Sequence, residues 1–286
     1  MEDKEIILSF TKLSMYLDCG LKYKYKYFDK TPDKSNFNFI LGDAVHKALE
    51  YNDNNIITKK ESFPISKVIA FFEKVMKASL KEFKKKEGYV PDEEYQKNLN
   101  LGKRMVEQYM INLPNKKDYK PLVMEQQFQI KLPDADVHFR GFIDQITEDD
   151  IIVDRKTSKG MYQVLKDALG NPVINPETGN QIFDGDQVKK LQLIMYALWF
   201  RATYGRKEKG LQYDIITKHK VPRVQVLDIL ITEKDVENAI DLMDRVTKQI
   251  RDEQFPAHIS QGCGWCDFKD TCTAAKDARE NPFTFY

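Results

Sequence analysis

The segment Gly141-Phe142-Ile143-Asp144, then a turn, then Ile151-Ile152-Val153-Asp154-Arg155-Lys156-Thr157 has residue types and spacing that can do chemistry. Two carboxylates, Asp144 and Asp154, fall near the ends of adjacent apolar runs. Residues i and i+2 of a strand share a face, so Asp154 and Lys156 point the same way. Converging carboxylates hold a hard divalent cation such as Mg2+ or Mn2+. Such an ion can orient and activate water for attack on a phosphodiester. Lys156 could stabilise the developing phosphate charge or assist the water. Asp-x-Lys is also a common ion pair at the end of a surface strand, and the residues alone leave that reading open.

The cysteines are a second constellation. Cys19 stands alone near the N-terminus, and Cys263, Cys266 and Cys272 form a C-x2-C-x5-C triplet. Four thiolates can close a zinc site or an iron–sulfur cluster. Zinc sites more often pair two C-x2-C knuckles, and four unrelated buried thiols are a third reading. A real site would clasp the two ends of the chain and couple its assembly to folding. Elsewhere, His46 lies beside the apolar stripe of its helix, where a hydrogen-bonded semi-core role competes with a ligand role. Gln192 and Tyr196 are spaced i, i+4 and share a helix face. Glu125 is either a further acidic neighbour or solvent-facing.

These residues need elements to position them. Ser9 or Thr11 can cap a first helix running into Lys22-Tyr23-Lys24-Tyr25-Lys26-Tyr27-Phe28. That run mixes cations and aromatics as single-strand binders do, but its tyrosines are read mainly as packing. A break follows at Thr31-Pro32-Asp33, with an Asn-rich stretch after it. Helical spacing recurs near 39–51, at 65–86 with a lysine-rich outer face, and at about 93–112. The texture then changes to strands at 121–131, 137–146 and 150–156, the last two joined at Glu148-Asp149-Asp150. Residues 158–186 read as a loop or small hairpin insertion. A strong helix at 187–204, strands at 211–218 and 223–231, and a helix from Glu233 to about 254 complete the order. Helices, three strands, helix, two strands and helix indicate an α/β (α+β mixed) fold: a central mixed sheet flanked by helices.

Composition narrows the classes. The chain has 45 Lys+Arg against 44 Asp+Glu, a formal net charge of +1, and 12% aromatics, which argues against disorder. A balanced total can hide an asymmetric surface, so it does not exclude a nucleic-acid partner. No stretch approaches the roughly 18 uncharged apolar residues of a membrane span. The start MEDKEIILSF is unlike a secretory signal, so a reducing, cytoplasmic location is expected. No Gly-x4-Gly-Lys-Ser/Thr loop is present, which argues against an ATPase motor.

Taken in order, these segments resemble the PD-(D/E)XK nuclease superfamily, in its RecB-like branch with an iron–sulfur cluster. That branch includes CRISPR-associated RecB-like exonucleases and AddB-type nuclease domains. The matching pieces are a loose S-x-T/S-x-L-x-x-Y-x-x-C at 9–19, Gly42-x3-His46, Gly141-x2-Asp144, Asp154-x-Lys156, Gln192-x3-Tyr196, and Phe255-Pro256 leading into the cysteine triplet. The resemblance implies a restriction-endonuclease-like core and one nuclease domain over 1–286. Its parts would be a helical region at 1–115, a core at 116–231 and a cluster segment at 232–286. It implies that His46, Asp144, Asp154 and the Arg155 carbonyl bind Mg2+ or Mn2+, and that Lys156 is the catalytic lysine. Gln192 and Tyr196 would line the site and contact DNA, and the four cysteines would ligate a [4Fe–4S] cluster. The implied activity is exonucleolytic cleavage at DNA ends or in single strands, in recombination, repair, phage DNA metabolism or CRISPR spacer acquisition. A non-catalytic DNA-binding adaptor of a recombination or CRISPR adaptation complex is the alternative. The family often has proline after the first cysteine, where this chain has Gly20.

Overall fold

The structure, a computed structural model, describes residues 5–32, 37–87, 89–113, 119–132, 135, 137–185 and 187–274. The elements are β1 (Ile7–Leu8), α1 (Phe10–Asp18), α2 (Gly20–Tyr27), α3 (Phe37–Lys59), α4 (Ile65–Glu87), α5 (Asp92–Asn112), β2 (Pro121–Lys131) and β3 (His138–Thr147). After them come β4 (Ile151–Ser158), β5 (Gln181–Ile182), α6 (Gln187–Tyr204), β6 (Gly210–Thr217), β7 (Val224–Asp228), α7 (Glu233–Arg251) and a 3-10 turn at Gln261–Trp265. The strands form one mixed sheet of seven, in the order β1-β3-β4-β6-β7-β5, with β2 also on β3. The fold is thus mixed α/β, as expected, and consistent with a restriction-endonuclease-like core. Among the described residues no helix is long and apolar enough to cross a membrane.

The chain forms two compact units. The larger comprises 36–128 and 142–232. In it, β4 pairs parallel with β6 along its whole length, from Ile151↔Gly210 to Ser158↔Thr217, and antiparallel with β3 at Gln145↔Val153. Alternate residues of these strands face different helices. Asp214 of β6 meets Tyr109 of α5, whereas the Tyr213 hydroxyl donates to the Lys189 carbonyl of α6 at 2.5 Å. The apolar stripes of α3 (Ala44, Val45, Ala48), α4 (Val68, Phe72, Met76) and α5 (Met105, Val106) close on one another. Each fully buried Val or Phe there contributes about 1.5–3 kcal/mol. The insertion after β4 is ordered rather than open. Isolated bridges join Val164 to Phe183 and Ile174 to Gln181. Asp228 of β7 holds its tip by accepting from Asn175 and Asn180, at 2.6 and 2.9 Å, and from Thr178. Asp186 lies outside the described residues.

The smaller unit comprises 1–35, 129–141 and 233–286. Here β1 runs parallel to the start of β3, with Ile7 opposite His138. The Ser9 hydroxyl caps α1 by accepting from the Lys12 amide at 3.3 Å. The first helix does not run on through the lysine–tyrosine repeat. It stops at Cys19, extended at φ −165°, and α2 restarts at Gly20. At this restart the chain passes close to Pro256: a β-carbon at Gly20 would lie 2.7–2.9 Å from its atoms. Tyr23 is buried, with its ring beside Tyr16, Tyr27 and Phe255, so it packs as expected. Other boundaries also move. The α3 helix continues to Lys59, β7 ends at Asp228 rather than 231, and α7 ends at Arg251 rather than 254. Asp33 and the first residues of the Asn-rich stretch lie outside the described residues.

Candidate active site

Pairing of Gln145 with Val153, carried one residue further, sets Asp144 across from Asp154 on one face of the sheet. The Arg155 amide donates to Asp144 Oδ2 at 2.7 Å, fixing that carboxylate beside the next strand. Lys156, two residues past Asp154, returns to the same face, and its Nζ lies 2.7 Å from Asp154 Oδ2. The same ammonium donates to Gln192 Oε1 at 2.7 Å. Lysine has no acceptor, so this contact fixes the amide, and Gln192 Nε2 turns to donate to the Tyr196 hydroxyl at 2.6 Å. Tyr196 in turn donates to Asp154 Oδ1 at 3.4 Å. Asp154, Lys156, Gln192 and Tyr196 thus form a closed polar ring between β4 and α6. His46 of α3 approaches from another side, with Nδ1 3.6 Å from Asp144 Oδ2.

The electrostatics follow from burying several charges together. Burial raises Asp154 to about 6; Lys156 offsets part of this and Asp144 adds to it. Burial also holds Asp144 above the usual carboxylate range, against Lys156 and the Arg155 amide. At Lys156 burial disfavours the charge, but Asp154 and Asp144 outweigh it and hold the ammonium protonated. Burial, with Arg155 and Lys156 nearby, pushes His46 down to about 4, so its imidazole is neutral, the form that binds metals. Asp154 Oδ2 is buried and receives no well-directed hydrogen bond from the described residues; the lysine contact is an ion pair. That oxygen already faces one cation, the Lys156 ammonium at 2.7 Å. Among the described residues, no three His, Cys, Asp or Glu side chains close on a single point as a finished metal cage.

The model of the PD-(D/E)XK nuclease superfamily matches residues 7–273. The chain belongs to that superfamily. Members usually work with Mg2+ or Mn2+, and oxygen donors such as Asp144 and Asp154 fit that preference for hard ions. Among solved structures, one described as "putative exonuclease" from Eubacterium rectale aligns over 96% of this chain and 88% of its own, with TM-score 0.54 and 11% identity. At that identity the likeness concerns the fold alone. A second structure, SSO0001, aligns over 96% and 89% at 12% identity, but its TM-score of 0.37 carries no argument. No curated protein matches the chain.

In this PD-(D/E)XK chain two further carboxylates stand near the ring. Glu125 of β2 has φ +48°, a left-handed conformation rare outside glycine. Much of the residue is exposed, yet crowding of its carboxyl, followed by the charge of Asp144, raises it to about 7. Glu50 lies one turn beyond His46 on α3, and burial raises it too. The i, i+4 spacing of His46 and Glu50 was the available signal for the second. The local β-pattern gave none for the irregular backbone that turns Glu125.

The cysteines belong to the smaller unit. Cys19, Cys263, Cys266 and Cys272 are free thiols lining one cavity of about 260 Å3. The backbone amides of His258 and Ser260 donate to the sulfurs of Cys19 and Cys263, each at 3.4 Å. Gly20 presses on Pro256 at the edge of this segment, so the residue after the first cysteine shapes the approach of two backbones.

Proposed function

We propose that this chain is a divalent-metal-dependent DNA exonuclease, acting at DNA ends or on single strands, that also carries a [4Fe–4S] cluster. The observation that carries the reading is the closed ring Asp154–Lys156–Gln192–Tyr196, set against Asp144. Asp144, Asp154, neutral His46 and the Arg155 carbonyl would hold the metal. Bound Mg2+ or Mn2+ supplies Lewis-acid polarisation of the phosphodiester and orients the nucleophilic water. Lys156 stays protonated beside the two carboxylates and meets negative charge as it develops on the phosphate. Gln192 fixes the lysine by its carbonyl oxygen, and Tyr196 fixes Asp154, so both reacting-site groups are aimed before substrate arrives. Hydrolysis forms a bond from the water oxygen to phosphorus and breaks the P–O ester bond, releasing the leaving strand.

For the cluster, the support is the cavity and the two amide-to-sulfur contacts, which suit thiolates. One zinc ion would draw four sulfurs to about 2.3 Å from a single centre. A [4Fe–4S] cluster would instead hold each sulfur on a different iron. The full chain, purified without oxygen, is expected to be brown, to contain iron and sulfide, and to degrade end-labelled DNA with Mg2+ or Mn2+. Cys19→Ser should lose the colour. Zinc without iron would replace the cluster reading. DNA binding without cleavage under either metal would replace the enzyme with the adaptor, a DNA-binding subunit for recombination or CRISPR adaptation proteins.

A further inference from the structure

Beyond Lys156 the two parallel strands β4 and β6 end side by side, and each runs directly into a lysine. Ser158 pairs with Thr217, so Lys159 and Lys218 follow at the same level. The Lys218 amide donates to the Ser158 carbonyl at 2.7 Å. His219 Nε2 lies 2.5 Å from the Lys159 carbonyl; a carbonyl only accepts, so that nitrogen carries the proton. On the far side, the Arg223 amide donates to Thr217 Oγ1 at 2.8 Å, closing the turn that leads into β7. Both lysine backbones are therefore held, not carried on a loose loop. Gly42 of α3 packs against the same strand end, where a β-carbon would come within 3.0 Å of Thr157 Oγ1.

The two side chains lack the acidic partner that some lysines of this unit have. Lys47 meets Asp43 and Lys60 meets Glu148, whereas no acidic side chain among the described residues pairs with Lys159 or Lys218. Lys218 is half-buried, and burial followed by the charge of Lys159 holds its pKa below the usual lysine range. Two like charges kept together, one partly desolvated, are stabilised by an anion and by little else. Lys159 is the first residue past the end of β4, three positions and roughly 10 Å along the chain from Lys156 at about 3.3 Å each. The exposed lysines of α4 are more numerous, but that helix packs on α3 and α5.

We propose that Lys159 and Lys218 form a phosphate-binding subsite that holds the nucleic-acid strand beside the reaction centre, a few nucleotides from the phosphate at Lys156. The inference rests on the nuclease reading and adds to it where the strand runs. The chemistry recognised is a backbone phosphodiester, without regard to base.

The test uses the full chain with labelled single-stranded DNA. KM and kcat are measured with Mg2+, and binding in EDTA, over a series of salt concentrations. For Lys159→Ala/Lys218→Ala, KM should rise about 10-fold with kcat within about twofold. The slope of log affinity against log salt should flatten by about 1.4, two contacts at about 0.7 each for single strands. Lys159→Arg/Lys218→Arg should restore both, and Lys77→Ala/Lys81→Ala on α4 should change neither. Lys159→Ala alone, at an exposed position, should flatten the slope by about 0.7, which keeps the test open should the double variant misfold. Unchanged slope and KM in a wild-type-like, active enzyme overturn the subsite and leave the nuclease reading intact. DNA binding that flattens as expected, with no cleavage by wild type, keeps the subsite and overturns the nuclease. Wild type that neither binds nor cleaves overturns both.

Discussion

On one face of β4, Arg155 is 2% exposed yet fully matched: its guanidinium pairs with Asp53 and donates to Tyr109, Tyr119 and Gln145 at 3.0–3.1 Å. Tyr109 passes the network on to Asp214 at 2.6 Å, and Gln212 Nε2 meets the other oxygen of that carboxylate at 2.6 Å. On the opposite face, one residue to either side, Asp154 and Lys156 share a site with Asp144 in which one carboxylate oxygen has no directed donor. The same strand thus buries charge in two ways. The Arg155 face is closed around its cation and fixes the strand. The Asp154 face is less completely hydrogen-bonded, and its carboxylate pair and lysine are groups whose chemistry suits a cation and a phosphate. Behind it the Arg155 network is nearly complete: among its described members only the Gln145 Nε2 lacks a partner.

Removing the partner of Arg155 should have the largest effect. Asp53→Ala leaves a buried guanidinium that cannot lose its proton, and should cost about 3–5 kcal/mol in urea unfolding. A loss under about 1 kcal/mol would mean that the network does not hold the strand. Lys156→Ala acts on the other face and should differ in kind. Its turnover of DNA should fall about 10²–10³-fold, by analogy with loss of one charge-stabilising donor. Its stability should fall less than that of Asp53→Ala, because Asp154 can escape by binding a proton. Equal activity of Lys156→Ala and wild type in matched preparations would remove the lysine from the site.

Much of this arrangement was legible in the sequence, but on one face only. Asp144, Asp154 and Lys156 stand out because alternation and a short acidic turn fix which way strand residues point. Gln192 and Tyr196 stand out because helix spacing does the same. The strong stripe at 187–204 gave α6 its observed bounds. The supporting face was not legible. Asp53 sits in an Asn-rich run that discourages a helix locally, yet α3 continues through it. The Ser62 hydroxyl and the Phe63 amide both donate to the neighbouring buried Asn52, each at 2.9 Å. Asp53's partner is 102 residues away, and no local pattern encodes such a pairing. Gly20 is explained only at long range too: it lies against Pro256, a contact only the folded chain contains.

A third prediction concerns pH and the under-satisfied face. The folded Asp154 carboxyl, at about 6, binds its proton more tightly than the same group in the unfolded chain, near 3.8. Its contribution therefore favours the folded state fully below the unfolded value, and is lost as pH rises through about 6. In EDTA, unfolding midpoints should show this loss between about pH 4 and 6. Asp154→Asn should flatten it, gain about 1–3 kcal/mol at pH 7, and be inactive. A variant less stable than wild type at pH 7 would mean that Lys156 fully compensates Asp154.

The smallest effect should come from trimming the satisfied face by one hydroxyl. Tyr119 donates to Asp53 and accepts from Arg155 Nη2 at 3.0 Å, so Tyr119→Phe removes two hydrogen bonds to charged groups but leaves their direct ion pair. About 1–2 kcal/mol of stability should be lost, with kcat and KM for DNA within about twofold of wild type. The ion pair and Tyr109 still aim Arg155, and through it the amide that fixes Asp144. Turnover slowed by about 10-fold or more, without a matching loss of stability, would show that the two faces are coupled tightly enough for one supporting hydroxyl to set the geometry of the reacting side.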